Sequence, residues 1–307
     1  MTLAILNVDW QTLADALGLG SVYALMAVGI GLVFGVLRLV NFAYGQLVMA
    51  GAFALALASQ WGWPVWAGIV LCFAVVIVLS LVMDRLVFRP LRQQSPAVML
   101  VATFAVAFLL QSVALLLVLK VQGQLGVPAS AVAQLSRAIT IGGVEIRKIS
   151  IVAIAVAAGA LVVLVLLLNR TNVGLHMRAA AMDFRTARML GVRANRVIAA
   201  AVLVSGVLAA LVAIMLTVQT PLVTSDFALR DTILVLAGVV VGGMNRLVSA
   251  TLGGFTIGFA SGLLGGALPT DQSQYLPSFL FAAVILVLLV RPGGLFTREG
   301  QQAVERV

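Results

Sequence analysis

Few side chains in this sequence could do chemistry, and their neighbours narrow what that chemistry is. Lys120 and Lys148 are the only lysines, and they follow Leu119 and Arg147. A phosphate-cradling loop needs Gly-Lys-Ser/Thr, so the chain has no such loop and draws no energy from ATP by that route. His176 is the one histidine and has no cysteine or carboxylate at ligand spacing, which predicts a surface side chain and no metal site. Cys72 is the only cysteine, sits in an apolar run, and excludes a disulfide framework within the chain. What remains is uncharged: Asn41, Tyr44 and Gln46, in the stretch Arg38-Leu39-Val40-Asn41-Phe42-Ala43-Tyr44-Gly45-Gln46. All three donate and accept hydrogen bonds without carrying charge. Gly45 permits irregular backbone, which at membrane depth is tolerated only where it is buried or lines a cavity. The stretch reads either as a simple cytoplasmic turn or as a discontinuous-helix site, with these three as substrate-path residues for a zwitterionic or amide solute.

The elements that must position them are membrane spans. Of 307 residues 63% are apolar and 9% charged, against about 25% charged in soluble domains, and the mean hydropathy is +1.17. No water-facing surface can be built from such a chain, which excludes soluble enzymes. A helix crossing the hydrocarbon needs about 20 mostly apolar residues. Charge-free runs cover 16–37, 39–83, 93–119, 149–169, 197–225, 232–245, 247–270 and 272–290. The run 39–83 is broken by Gln60-Trp61-Gly62-Trp63-Pro64 and counts twice. The expectation is an all-α polytopic protein of about nine transmembrane segments, with eight to ten as the range. The segment 232–245 is the weakest, too short to span alone. Residues 1–307 form a single transmembrane domain on this reading.

Lys and Arg collect in cytoplasmic loops. With the N-terminus outside and the C-terminus cytoplasmic, the inside set is Arg38, 84–96, 170–196, Arg246 and 291–307. It holds 14 of the 19 basic residues and 4 of the 10 acids, a net +10 against −1 outside. The +9 net charge is therefore topological, and nucleic acid is not needed to explain it. The first fifteen residues carry Asp9 and Asp15 but no basic n-region, so the first run is expected to be a retained helix. Every acid falls in a loop or at a span end, and an outer-loop place suits Asp226 and Asp231. Ion-coupled carriers usually bury such groups within their spans, so a pathway protein powered from elsewhere is favoured.

Two further patterns concern packing. Helices in lipid approach through small residues spaced four apart, and Gly254, Gly258, Gly262 and Gly266 form an unbroken ladder. The ladder serves helix packing within the chain, a subunit interface or a face on the path. Residues 120–148 form an external loop, ending in Ala138-Ile139-Thr140-Ile141, Gly142-Gly143 and Val144-Glu145-Ile146-Arg147. β-Formers around Gly-Gly predict a short external hairpin with a two-residue turn.

The longest internal loop, 170–196, holds six arginines and Asp183. Met177, Ala180, Ala181, Phe184, Ala187 and Gly191 recur at helical steps with Arg178, Arg185 and Arg188 on the other faces, predicting a short amphipathic helix. It would lie on anionic membrane lipid or dock a cytoplasmic protein; periodicity does not choose.

At these two places the chain resembles the LivH-like permease subunits of bacterial branched-chain amino acid ABC importers. The first resemblance runs from Gly20-Ser21-Val22-Tyr23-Ala24-Leu25 through Val40-Asn41-Phe42-Ala43-Tyr44-Gly45-Gln46. The second runs from Gly174-Leu175-His176-Met177-Arg178-Ala179-Ala180-Ala181-Met182-Asp183 through Ala187, Leu190 and Gly191. The glycine-rich stretch Gly242 to Gly266 and the ending Arg291-Pro292-Gly293-Gly294-Leu295-Phe296 are also similar. The resemblance implies that Arg178, Ala180, Ala181, Asp183, Phe184, Ala187, Leu190 and Gly191 belong to a loop coupling the permease to an ATPase. It implies a second homologous (LivM-like) permease, two ATPase subunits carrying the ATP and magnesium, an external substrate-binding protein, and no cofactor or catalytic site in this chain. The place implied is the bacterial cytoplasmic (inner) membrane. The family commonly has His, Gly and an acid where this chain has Tyr44-Gly45-Gln46, and Met244-Asn245-Arg246 replaces the usual Gly-Ser and Pro. Relatives handle leucine, isoleucine and valine, others urea or short amides. A passive channel or secondary carrier for a small polar solute, and a non-transporting scaffold, are the rival classes.

Overall fold

The computed structural model describes residues 10–37, 41–91, 94–123, 125–129, 138–141, 144–244, 246–269, 272–291 and 294–296. Each of the nine apolar segments forms a helix. In chain order these are α1 (Trp10–Leu37), α2 (Tyr44–Gln60), α3 (Val65–Met83), α4 (Pro96–Gln122) and α5 (Lys148–Arg170), then α8 (Ala194–Gln219), α9 (Leu229–Gly242), α10 (Leu247–Ala267) and α11 (Leu276–Val290). Two short helices, α6 (Asn172–Met182) and α7 (Phe184–Met189), lie between α5 and α8. Six helices (α1, α3 with its extension to Leu91, α4, α5, α8 and α10) are long and apolar enough to cross a membrane. At 1.5 Å per residue the 14 residues of α9 reach only about 21 Å, short of the roughly 30 Å hydrocarbon.

Local sequence sets the breaks. Gly62, at φ +69°, turns the chain after α2, and Pro64 caps α3 with an extended backbone that cannot continue a helix. Ser95 accepts from the Val98 amide and Pro96 follows at the first helical position, where its missing N–H is no loss. α3 runs on through a π-helical turn at Asp84–Phe88, where buried Asp84 meets Arg89 at 3.9 Å.

α1 is the inner pillar, with 78% of its most apolar window buried, against 17% for α4 and α5. α5, α8, α9 and α10 all pack on it. The outer faces of α3, α4 and α5 are apolar and exposed. Two antiparallel ribbons join helix ends. β1 (Gly126–Pro128) pairs with β4 (Leu222–Thr224), tying the end of α4 to the end of α8. β2 (Ala138–Ile141) pairs with β3 (Val144–Arg147) with Ile141 opposite Val144. That register leaves only the Gly142-Gly143 pair, outside the described residues, to connect them. Hydroxyls inside the bundle donate to backbone carbonyls: Ser205 to Gly29 O at 2.8 Å and Thr217 to Ala213 O at 2.6 Å. Such pairing removes the penalty of a bare polar group where no water is present.

Candidate functional site

The polar tip of α2 is built by its own turn. Asn41 Oδ1 accepts from the Ala43 amide at 3.1 Å, and the carbonyl of Ala43 starts the helix by accepting from Leu47 at 3.3 Å. Asn41 is thereby spent on the turn and is 3% exposed. Tyr44 is wholly buried, its hydroxyl against Gly29 of α1 in the space any larger residue would fill. Gly45 is pressed against Thr232 and the Ala228 carbonyl of α9, so the starts of α2 and α9 meet inside the bundle. Gln46, 1% exposed, lines a cleft of about 480 Å³ between α2, α3 and α4, walled by Met49, Phe53, Leu71, Val113 and Leu117. The three residues therefore do not converge on one point: Asn41 faces its own turn, Tyr44 faces α1, and Gln46 faces the cleft. Among the described residues, Tyr44 Oη and Gln46 Oε1 are buried without a hydrogen-bonding partner. A buried group left bare costs about 1–3 kcal/mol. This helix start thus carries a desolvation cost that no hydrogen bond among the described residues offsets.

One polar contact escaped the sequence reading. Asp231 stands in the first turn of α9, not in an outer loop, and Tyr23 of α1 donates to its Oδ1 at 2.7 Å. No local capping residue marked it, since α9 starts after Ala228 without a side-chain cap, although a carboxylate in a first turn does meet the positive end of the helix dipole. Asp15 likewise accepts from Ser150 at 2.6 Å, joining α1 to the start of α5. Asp226 accepts from Thr224 at 2.7 Å in the turn before α9.

The basic loop differs from the single amphipathic helix expected for it. It forms two helices broken at Asp183, whose backbone is extended (φ −149°, ψ 105°). Asp183 caps α7, accepting from the Thr186 amide at 3.1 Å and from the Thr186 hydroxyl. The physical reason is that a short acid competes best for backbone donors at a helix start. α6 is capped by Thr171, which accepts from the Gly174 amide at 3.1 Å. Gly174 lies tight against the Leu167 and Leu168 backbone of α5, where a Cβ would have no room. Arg178 reaches back to Asn169 Oδ1 at 3.2 Å and ties α6 to the end of α5.

The inward residues are Met177, Ala180 and Ala187, all buried, with Ala181 half-buried. α6 packs on α5, α8 and α1. The outward residues Met182, Met189 and Leu190 are 86%, 75% and 81% exposed. Gly191, at φ +90°, closes α7 with the Val192 amide donating to Ala187 O at 3.1 Å, a left-handed cap that glycine adopts without penalty. The side chain of Phe184 lies outside the described residues.

The four glycines of α10 lie against α1. A Cβ on Gly254 would strike Ala27 and the Tyr23 carbonyl, and one on Gly258 would strike Tyr23 and Gly20. One on Gly262 would strike Ala16, and one on Gly266 would strike Thr12. Gly238 and Gly242 of α9 meet Gly253 on the neighbouring face. The ladder thus closes an antiparallel seam inside the chain.

The chain is similar to known proteins along nearly its whole length. It is 29% identical over 308 residues, 97% of each chain, to the high-affinity branched-chain amino acid transport system permease protein BraD of Pseudomonas aeruginosa. It is 26% identical over 311 residues, again 97% of each, to the permease protein LivH of the corresponding Escherichia coli system. Its fold resembles PsaBC from Streptococcus pneumoniae (TM-score 0.52, 13% identity, 93% of this chain and 94% of that one). It also resembles an inward-facing metal-chelate type ABC transporter (TM-score 0.51, 19% identity, 94% and 89%). Residues 12–289 match the family described as branched-chain amino acid transport system / permease component, and the chain belongs to that family.

Proposed function

We propose that the chain is a membrane-spanning permease subunit of an ATP-binding-cassette importer, forming the path for leucine-type amino acids together with a second, homologous permease. On this reading ATP and magnesium are held by two separate ATPase subunits, and an external binding protein delivers the solute. The protein sits in the bacterial cytoplasmic membrane with nine membrane segments, its N-terminus outside and its C-terminus inside. The short helices α2, α9 and α11 complete the nine beside the six of spanning length. The names of the relatives BraD and LivH support the substrate class.

The observation that carries the reading is the α6–α7 pair. It presents Met182, Met189 and Leu190 outward while Met177 and Ala180 are sunk into the bundle. Exposed large apolar groups beside arginines suit a protein partner, because such anchors repay burial in a docking interface. The same pair is bolted to α5 through Arg178 and Thr171 and rests on α1 and α8. A push from closing ATPase subunits therefore reaches the helices that define the two packings of the bundle.

The test is to co-purify the chain with its partners and measure ATP hydrolysis in nanodiscs with binding protein and candidate solutes. Stimulation by leucine, isoleucine or valine is the expected result. Stimulation by urea or short amides alone would keep the importer and overturn the substrate. Transport in liposomes without ATP would overturn the importer.

A further inference from the structure

The cleft of about 480 Å³ between α2, α3 and α4 is an apolar groove with a bare polar group at one end. On α2 it follows a single face, Gln46, Met49, Phe53, Leu57 and Trp61, over about 22 Å of helix. Across from that face, Leu71, Val75 and Leu79 of α3 stand one turn apart and half-buried. α3 and α4 both rest on α2, and Val113 and Leu117 of α4 stay exposed where they line the cleft. None of the described residues lining the cleft is charged. Its polar groups are the Trp61 indole, exposed at one end, and the Gln46 amide, buried at the other. Gln46 Oε1 has no donor, on a side chain that is 1% exposed.

We infer that this cleft binds an uncharged amphiphile, an alkyl chain whose amide or hydroxyl head donates to Gln46 Oε1. An apolar cavity of this size with one placed polar group has the form of a small-molecule site. The lining decides the occupant. A bound water needs several polar partners, and the Gln46 end offers one amide. A plain acyl chain would cover the apolar walls and leave Oε1 bare, at the full cost of an unpaired buried acceptor. A free amino acid would bring two charges to a cleft with no charged side chain to receive them. A neutral amide head instead meets the Gln46 amide reciprocally, because each group carries both a donor and an acceptor. Its chain then runs along α2 toward Trp61. The inference is independent of the transport reading: a chain that binds the amphiphile yet couples to no ATPase would sink only the latter.

The experiment is binding of radiolabelled decanamide to the purified full-length protein in nanodiscs, with N,N-dimethyldecanamide, decanoate and leucine as competitors. The expected result is saturable binding of one decanamide per chain. N,N-dimethyldecanamide, which lacks the donor, should bind about tenfold more weakly, the weight of one hydrogen bond to a buried acceptor. Gln46→Met should bring the two amides level by removing the acceptor at similar volume. Ala114→Phe, which fills the α4 wall of the cleft, should abolish binding of both without lowering the unfolding midpoint. Equal affinity for the two amides in the unaltered protein would leave a crevice for any acyl chain and overturns the inference; this comparison stands even where a variant fails to fold. A preference that survives in Gln46→Met overturns it too, as does unchanged binding in Ala114→Phe. Decanoate binding as tightly as decanamide would make this a site for charged ligands, and displacement by millimolar leucine would make it part of the solute path. Either result overturns the amphiphile, as does the absence of saturable binding.

Discussion

The α1–α10 seam and the α6–α7 pair are both built from small residues at helical spacing, yet they do opposite work. In the seam, Gly254, Gly258, Gly262 and Gly266 have no space beside them, and each faces backbone or a short side chain of α1. In the pair, Gly191 has open space where a side chain would go, and its role is a backbone angle. One region is held by contact area and the other by caps: Thr171, Asp183 and Gly191. Close packing in lipid depends on backbone approach and tolerates no added methyl group. Caps hold short helices with about 1 kcal/mol each and leave them able to shift. A seam built the first way moves as one body, and a pair built the second way can transmit a push.

Breaking the seam should have the largest effect. Gly262→Leu forces a side chain into Ala16 of α1 and is expected to destabilise the bundle by about 3 kcal/mol, the upper part of overpacking losses. Thermal unfolding in detergent and the yield of monodisperse protein read this out. A normal midpoint would mean that the seam is looser than its geometry.

Next comes the polar bridge that crosses the same seam region. Tyr23→Phe leaves Asp231 without its donor and is expected to cost about 2 kcal/mol, since a partly buried carboxylate loses its partner. An unchanged unfolding midpoint would show that water or another donor replaces the phenol.

The caps should behave differently from both. Asp183→Ala removes the α7 cap at an expected cost of about 1 kcal/mol, and Gly191→Ala strains a left-handed backbone by about the same amount. Both proteins should reach the membrane with near-normal stability, because each change is confined to a cap of the short helix α7 and leaves the buried Met177 and Ala180 in place, but solute-stimulated ATP hydrolysis should fall. Normal stimulation in both would remove the coupling role from α7. The smallest effect is expected from Arg178→Ala, whose hydrogen bond to Asn169 is exposed and contributes about 0.5 kcal/mol. A modest drop in stimulated hydrolysis without any shift in unfolding would sharpen the distinction between the two regions.

How much was legible varies from element to element, for physical reasons. The break at Gln60-Trp61-Gly62-Trp63-Pro64 could be read because glycine and proline act on the chain locally. The strand pair around Gly142-Gly143 could be read because a two-residue turn sets its own register. The division of the basic loop at Asp183 could not, since the apolar spacing from Met177 to Gly191 runs through the break and one hydrogen bond outweighs it. Asp231 was misplaced because the start of a short helix is decided by what packs on it, here Tyr23.

The sequence by itself determined that this chain lives in a membrane, along which stretches its long apolar helices run, and which loops carry positive charge. These follow from composition and from backbone preferences that act over a few residues. Only the tertiary structure decided which helix the glycine ladder meets, and that Gln46 opens on an apolar cleft while Tyr44 is closed against Gly29. In a chain that is apolar on nearly every face, hydrophobic patterning cannot say which side of a helix turns inward. That choice rests on shape and hydrogen bonding between residues far apart in sequence, and it becomes visible only once the helices are packed.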